Sequence, residues 1–343
     1  MGPIRAWIGR PTRSERILRV SVHSALGTHL NVHRRHLYFP VAAPPGAQWP
    51  NWYVAGWLTV PAKPLRSELQ ILLHGACYDH RYWDWPEQPQ RYSYAAWSEK
   101  RGIATLALDR IGCGFSTRPP GRESTLAAQS AVLGQIIDLV RSGLAELDSV
   151  ERIVLIGHSL GSLIAGHHAA THADVDAVVL TGYLPVEAAS DSEERLLDRG
   201  FLPAIDGCPR LLGLVDQDYL VPHPNMREPL MYSRNGADPK IMEVDEDIKG
   251  TTTRGELVGS GSAGPVIRTS AIPTLVMVGQ YDRLLMKHGV DRDCRDTAKR
   301  VAAISPENFR YVVVDNNGHN LNLHRDARRT YSELGRWLDE GAR

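Results

Sequence analysis

The fold of this 343-residue chain is decided by the stretch Ile153-Val154-Leu155-Ile156-Gly157-His158-Ser159-Leu160-Gly161. Its apolar start predicts a buried strand, and residues 160–171, rich in Ala, Leu and His, predict a helix. Between them, the pattern Gly-x-Ser-x-Gly is typical of a sharp strand-to-helix turn that lifts a serine above the sheet. The two glycines leave room for the strained backbone of this turn. We therefore expect an exposed Ser159 beside the free N–H groups of a helix N-terminus.

Two downstream apolar runs end in an acid and a base. Residues 274–279 lead to Asp282, and residues 311–314 lead to Gly318-His319. Because open parallel sheets gather functional groups at the carboxyl ends of their strands, we expect both side chains near Ser159. A serine hydroxyl needs an adjacent base, and the base needs a carboxylate that holds its tautomer. The order serine, aspartate, histidine therefore predicts a catalytic triad.

With this triad order, the chain resembles the α/β-hydrolase superfamily over residues 20–340. The alternation of strands and helices favours an α/β fold with helices on both faces of the sheet. The resemblance implies an eight-stranded, mostly parallel sheet, with a cap inserted after the sixth strand. The core would then comprise residues 1–186 and 271–343, and the cap would comprise residues 187–270.

The acid and the base each have rivals in the sequence. Glu187 follows the strand before the cap, and some members of the superfamily carry the acid there. His324 and His288 compete with His319 as the base, although His324 begins the last helix and is predicted to lie at the surface. Ser159 could also be an ordinary turn residue, and Asp282 could be the cap of the following helix.

The loop after the apolar run 69–73 is expected to help bind a negatively charged intermediate. By the same resemblance, the oxyanion hole would use the backbone N–H of Leu160 and that of Ala76, with Cys77 as the second choice. His74, at the start of this loop, is expected to support it by hydrogen bonds. The later Asp109-x-x-Gly-x-Gly-x-Ser loop also matches the superfamily.

The predicted substrate pocket is walled by aromatic and flexible apolar side chains. The cap cannot remain a structureless loop in a compact domain, so we expect it to cover the serine, the alternative being a disordered linker. Tyr82 and Trp83 could instead pack on helix 93–101. His158, in the turn, could pack beneath the pocket. The candidates for substrate binding are Tyr82, Trp83, His158, Tyr219, Met226, Met231 and Tyr232.

Composition narrows the class of protein. The formal net charge is zero, which disfavours nucleic acid as a partner. Four widely spaced cysteines without a C-x-x-C pair favour neither a metal site nor a disulfide framework, and no cofactor is expected. No apolar run approaches a membrane span or a signal sequence, so no membrane contact and a cytoplasmic location are expected. The Arg-rich start is interpreted as a solvated tail rather than a targeting peptide, and exposed apolar cap residues would support a homodimer.

The nucleophile favours acyl chemistry, because related enzymes that open epoxides or remove halogen carry aspartate at this turn. The resemblance implies a serine hydrolase, a carboxylic ester hydrolase or lactonase, acting on a small-to-medium, largely apolar, polyketide-like molecule. Thioesters and amides remain alternatives. Residues 74–84 resemble actinobacterial and fungal lactonases such as zearalenone hydrolases. The other candidates are a lyase or cyclase of secondary metabolism on the same scaffold, and a receptor-like relative that binds a ligand.

Overall fold

A computed structural model describes residues 18–20, 33–144, 147, 150–186, 200–258, 260–286 and 293–342. In this part of the chain the strands are β1 (Leu18–Val20), β2 (His33–Ala42), β3 (Asn51–Val60), β4 (Glu68–Leu73), β5 (Ala104–Leu108), β6 (Arg152–His158), β7 (Ala177–Thr181), β8 (Phe201–Pro203), β9 (Tyr219–Pro222), β10 (Thr252–Thr253), β11 (Thr274–Gly279) and β12 (Phe309–Val314).

The α-helices of the same part are mostly short. They are α1 (Pro89–Tyr92), α2 (Tyr94–Lys100), α3 (Leu126–Arg141), α4 (Leu160–Thr171), α5 (Ala204–Gly207), α6 (Arg227–Met231), α7 (Pro239–Asp247), α8 (Arg254–Leu257), α9 (Ala263–Ile267), α10 (Cys294–Ala302) and α11 (Ala327–Asp339). Single 3₁₀ turns lie at His80–Tyr82, Pro209–Leu211, Ser260–Ser262 and Leu321–Leu323. None of the described helices is long and apolar enough to cross a membrane.

One sheet organises the molecule, in the order β1-β2-β3-β5-β4-β6-β7-β11-β12. The six strands from β5 to β12 in this order pair in parallel, whereas β1, β2 and β3 pair antiparallel. The predicted eight-stranded, mostly parallel sheet is therefore confirmed, with β1 as an additional short edge strand. The central strands are mainly apolar and are buried along almost their whole length, because helices cover both of their faces.

Side-chain alternation along β6 divides the core into two layers. Ile153 and Leu155 pack in the layer that contains α3 and α4. Val154 and Ile156 pack in the opposite layer, with the aromatic side chains of α2 and α11. Because the period of a strand is two residues, one short apolar run supplies both layers. Because β6 is buried on both faces, the position of its carboxyl end is fixed, and so is the position of Ser159.

Helix α3 is capped at its N-terminus by Thr125, whose hydroxyl accepts the hydrogen bond from the backbone N–H of Ala128 at 3.1 Å. The Ser124 hydroxyl instead donates to the carbonyl of Ile111, in the loop after β5. A serine that binds a neighbouring loop is not available as a cap.

Between β7 and β11 the chain forms an inserted segment, described over residues 200–258 and 260–270. Its strands β10, β9 and β8 make a small antiparallel sheet in that order. Five α-helices, α5 to α9, lie between and after these strands along the chain. The segment lies where the cap is predicted, between β7 and the strand β11 that leads to the expected acid.

Candidate active site

Ser159 lies in the sharp turn between β6 and α4. Its backbone has φ 52° and ψ −116°, a conformation that side-chain-bearing residues rarely adopt. The Ser159 N–H donates to the carbonyl of Thr181 at 2.8 Å, which ties the turn to β7. A Cβ on Gly157 would collide with the backbone of Gly161, and a Cβ on Gly161 would collide with the carbonyl of Leu73. The two motif glycines are therefore required by close backbone contacts.

Asp282 and His319 form a buried pair at the ends of neighbouring strands. The Nδ1 atom of His319 lies 2.8 Å from Oδ2 of Asp282, and both residues are almost fully buried. The other carboxylate oxygen of Asp282 accepts the N–H of Leu284 at 3.1 Å. With its Nδ1 proton donated to the carboxylate, His319 keeps Nε2 as the nitrogen that can accept a proton. Ser159 and His319 line the same cavity.

His324 does not lie at the surface, which corrects the expectation from the sequence. It is fully buried, and its Nε2 atom accepts the N–H of Gly318 at 2.9 Å and that of Ser233 at 3.1 Å. Its Nδ1 atom therefore carries the proton and donates to the carbonyl of Asn320 at 2.8 Å. With both nitrogens engaged, His324 holds the loop that carries His319. His288 and Glu187, the other rivals, lie outside the described residues.

The loop after β4 offers backbone donors to the cavity. Gly75, Ala76 and Cys77 line it together with Ser159 and Leu160. Within the described part of the chain, the N–H groups of Ala76, Cys77 and Leu160 donate to no other protein atom. Such unpaired N–H groups beside a serine can receive a negatively charged oxygen.

Cys77 is the one thiol among the described residues of the cavity wall. Its side chain is buried, and this burial raises the pKa of the thiol to about 12. Because the thiolate is the reactive form of cysteine, Cys77 is inert at neutral pH. The thiol is therefore disfavoured as the nucleophile of this cavity relative to the hydroxyl of Ser159, which lines it together with His319.

Two further histidines near the turn are held neutral. Burial lowers the pKa of His74 well below its usual value, and the nearby positive charge of Arg110 lowers it further. Burial also lowers the pKa of His158 well below that value, with an added contribution from His319. His158 lines the cavity, and its ring stacks on that of Tyr82 with centroids 4.2 Å apart. Within the described residues, neither histidine has a hydrogen-bonded carboxylate like the one that His319 has.

The cavity is large and mainly apolar, with a volume of about 750 Å³. Pockets that bind drug-sized molecules have volumes of roughly 300–1,000 Å³. One wall comes from the core and includes the segments that follow β7 and β11 and residues of α10. The other wall comes from the inserted segment. The aliphatic, methionine and phenylalanine side chains that line the cavity are Leu160, Leu163, Leu184, Val186, Leu284, Leu285, Met286, Val301 and Ile304 from the core, and Phe201, Pro222, Met226, Leu230, Met231 and Leu257 from the inserted segment.

Met226, Met231 and His158 line the cavity as expected, but four aromatic candidates do not. Tyr82 and Trp83 are buried outside it, where Trp83 packs edge-on against Tyr94 of α2. The alternative packing on this helix is therefore the one observed. The tight 3₁₀ turn at His80–Tyr82 directs the rings of Tyr82 and Trp83 into the core rather than toward Ser159.

The two cap tyrosines are also held away from the cavity by buried hydrogen bonds. The Tyr219 hydroxyl donates to the carbonyl of Pro119 at 2.7 Å, and the Tyr232 hydroxyl donates to Asp245 at 2.7 Å. A buried phenol needs such a partner. Tyr219 and Tyr232 therefore lie outside the cavity wall, contrary to the expectation from the sequence.

Several lining residues were missed by the sequence analysis. Residues 284–286 form an apolar run one residue after Asp282. An apolar run beyond the carboxyl end of a strand could have indicated a lining segment. Tyr78 directly follows the predicted oxyanion donors, so its place in the wall was also foreseeable. Arg227 lines the cavity while its guanidinium is paired with Asp245, and no local sequence pattern indicates this long-range pairing.

Comparison with known proteins gives a family match and several similar folds. The model of the alpha/beta hydrolase family matches residues 70–331. Alpha/beta hydrolase GrgF from Penicillium sp. sh18 is 18% identical, with 90% of this chain and 97% of that chain covered and a TM-score of 0.57. A putative aryl esterase from Burkholderia cenocepacia is 16% identical, with 88% and 98% covered and a TM-score of 0.58.

A third solved structure, proline iminopeptidase from Mycobacterium smegmatis, is 14% identical, with 88% of this chain and 98% of that chain covered and a TM-score of 0.53. At such identities the likeness concerns the fold alone. No curated protein matches this sequence.

Proposed function

This chain belongs to the alpha/beta hydrolase family, and we propose that it is a serine hydrolase that cleaves a carboxylic ester or lactone bond. The observation that carries the proposal is the buried hydrogen bond between His319 and Asp282, beside a cavity whose wall contains Ser159 in a strained turn. These are the parts that a serine nucleophile needs, namely a base and a carboxylate that orients it.

In the proposed reaction, Nε2 of His319 takes the proton of the Ser159 hydroxyl as its oxygen attacks the substrate carbonyl. Asp282 holds the Nδ1–H tautomer and stabilises the imidazolium that forms. The N–H groups of Leu160 and Ala76 bind the oxyanion, and His319 then protonates the departing alcohol oxygen. Water, deprotonated by the same histidine, attacks the acyl-enzyme, and His319 returns the proton to the oxygen of Ser159 as the acid leaves. In a lactone the alcohol and the acid remain parts of one product.

The cavity supports a largely apolar small molecule as the substrate. Its lining is built mainly of aliphatic, methionine and aromatic side chains, and its volume suits a molecule larger than a short-chain ester. We propose that the inserted segment acts as a cap, because it supplies one whole wall of this cavity. Specificity would then depend on the shape of the cap and not on the triad.

The test is hydrolysis by the wild type and by Ser159→Ala of three substrates with the same bulky aromatic acyl group: an aryl ester, a lactone and an amide. The wild type should cleave the ester or the lactone, and Ser159→Ala should retain less than about one part in 10³ of that rate. Circular dichroism should give the same spectrum for both proteins, because alanine fits the turn. Cleavage of none of the three substrates by the wild type, or retained activity in Ser159→Ala, would refute the proposed function.

A further inference from the structure

A buried arginine reaches from the core to the inserted segment directly behind the candidate oxyanion loop. Arg110 follows β5 and is 3% exposed, and Glu256 of α8 is fully buried. The Nη1 atom of Arg110 forms an ion pair with Oε1 of Glu256. Removal of two charges from water is costly unless their remaining hydrogen-bonding groups are also satisfied, so the other partners of this pair decide what it does.

The two other nitrogen atoms of the Arg110 guanidinium bind two successive carbonyl groups of the loop. Its Nε atom donates to the carbonyl of His74 at 3.0 Å, and its Nη2 atom donates to the carbonyl of Gly75 at 3.2 Å. The backbone N–H of Arg110 also donates to Nε2 of His74 at 3.1 Å. His74 therefore carries its proton on Nδ1, which lies 2.9 Å from the same Gly75 carbonyl. The oxygen of Gly75 thus accepts two hydrogen bonds, one from a cation.

The carbonyl of Gly75 and the N–H of Ala76 belong to one peptide group. Because this group is planar and trans, its C=O and N–H bonds point in opposite directions. Donors that fix the carbonyl on one side therefore fix the direction of the N–H on the other. A positive charge on the carbonyl also polarises the amide, and hydrogen bonds in such a chain strengthen one another. The N–H of Ala76 has no partner within the described structure.

Glu256 is itself held in place by the inserted segment. Its Oε2 atom accepts the hydroxyl of Thr252 at 2.9 Å and the backbone N–H of Thr253 at 3.0 Å. Its Oε1 atom also accepts the side-chain amide of Gln129, from α3, at 2.7 Å. All the acceptor positions of the Glu256 carboxylate are thus used, and Arg110 is held in a single orientation.

We propose that Arg110, held by Glu256 of the inserted segment, is a positioning residue that aligns and polarises the Ala76 N–H for binding of the oxyanion. This rests on the proposed function, because it assigns a task to the donor that the serine mechanism requires. It makes the inserted segment part of the catalytic apparatus as well as a wall of the cavity. A purely structural ion pair would affect only the amount of folded protein.

The test is the ratio of kcat/KM for an aryl ester to kcat/KM for its thionoester, in which sulfur replaces the carbonyl oxygen. Sulfur is a weak hydrogen-bond acceptor, so the thionoester gains little from the oxyanion hole. The ratio does not depend on the fraction of active enzyme, because both rates fall together when protein is lost. Arg110→Lys and Glu256→Gln should each lower the ratio by about tenfold, a part of the 10²–10³ expected for complete loss of a donor.

The matched control is Glu68→Gln, which makes the same chemical change in another buried carboxylate. Glu68 pairs with Arg152 at 2.6 Å at the amino ends of β4 and β6, the far edge of the sheet. This variant should leave the ratio unchanged. Thr252→Val, which removes one hydrogen bond to Glu256 and no charge, should lower the ratio in the same direction, and it decides the question if neither charged variant folds.

An unchanged ratio in the folded variants, or an equal drop in Glu68→Gln, would overturn the positioning role. The two proposals fail in different ways. If the wild type cleaves neither the ester nor the lactone, the proposed function itself is wrong; if it cleaves the lactone alone, the same ratio is measured with the lactone and its thionolactone. If the wild type prefers the ester and the variants keep this preference, only the role of Arg110 and Glu256 is wrong.

Discussion

At the scale of single residues, Ser159 is held in a backbone conformation that costs about 1–3 kcal/mol. The strain persists because β6 is buried on both faces and α4 packs against the core, so neither side of the turn can relax. Asp282 and His319 lie at the ends of β11 and β12, which pair in parallel along their full length. Three separate strand ends thus bring the candidate triad to one edge of the sheet.

The acid assignment gives the first prediction. Asp282→Asn should lower kcat by about 10⁴, because asparagine favours the histidine tautomer with its proton on the wrong nitrogen. The measurement is steady-state hydrolysis of an activated ester, with the unfolding midpoint recorded alongside. Glu187→Gln, at the rival position in the sequence, should keep kcat within a few-fold of the wild type. If the two variants ranked in the opposite order, the acid would be Glu187.

At the scale of elements, the sequence predicted residues in tight turns better than residues in the pocket wall. Ser159 and His319 follow short strands and lie beside glycines, so local sequence determines their positions. Tyr219 could not be placed in this way, because β9 pairs on both sides and its alternation turns this ring toward Pro119. Which face of a short inserted strand meets the cavity depends on distant contacts that no local pattern contains.

The inserted segment gives a prediction about specificity. Met226→Ala and Met231→Ala should each lower kcat/KM for a bulky aromatic ester by about tenfold, since a lost side chain in an apolar pocket is worth roughly 1–3 kcal/mol. The rate with an activated acetate ester should hardly change, because a small ester can reach Ser159 without contact with this wall. Both substrates are measured on each variant.

Met242→Ala is the matched control for these variants. Met242 lies in α7 of the same segment, outside the cavity wall, so its removal should not alter the preference between the two esters. A uniform loss of activity on both substrates in the Met226 and Met231 variants would contradict the proposed cap role. So would an altered preference in Met242→Ala.

At the scale of the whole molecule, neutral buried histidines couple stability to pH. Burial lowers the pKa of His74 and of His158 well below the value of an unfolded histidine, about 6.5. Below pH 6.5 the unfolded chain binds protons that the folded protein does not, so stability falls as pH falls. Each histidine contributes a slope of up to about 1.4 kcal/mol per pH unit in that range.

Urea unfolding at pH 7.5 and at pH 5.5 measures this slope. The free energy of unfolding should be lower at pH 5.5 by about 1–3 kcal/mol, with an unchanged dependence on urea concentration. The interval lies above the range in which most carboxylates titrate, so the histidines dominate it. Equal stability at the two pH values, or greater stability at pH 5.5, would show that these side chains are not held neutral in the fold.

The most direct measurement of the central claim is covalent labelling with a fluorophosphonate, located by mass spectrometry of the digested protein. The serine mechanism predicts one adduct per chain, on the peptide that contains Ser159. It also predicts no adduct in Ser159→Ala and a labelling rate reduced by more than about 10²-fold in His319→Ala, because the serine and its base act together. An adduct on another residue, or equal labelling of the wild type and Ser159→Ala, would contradict the account.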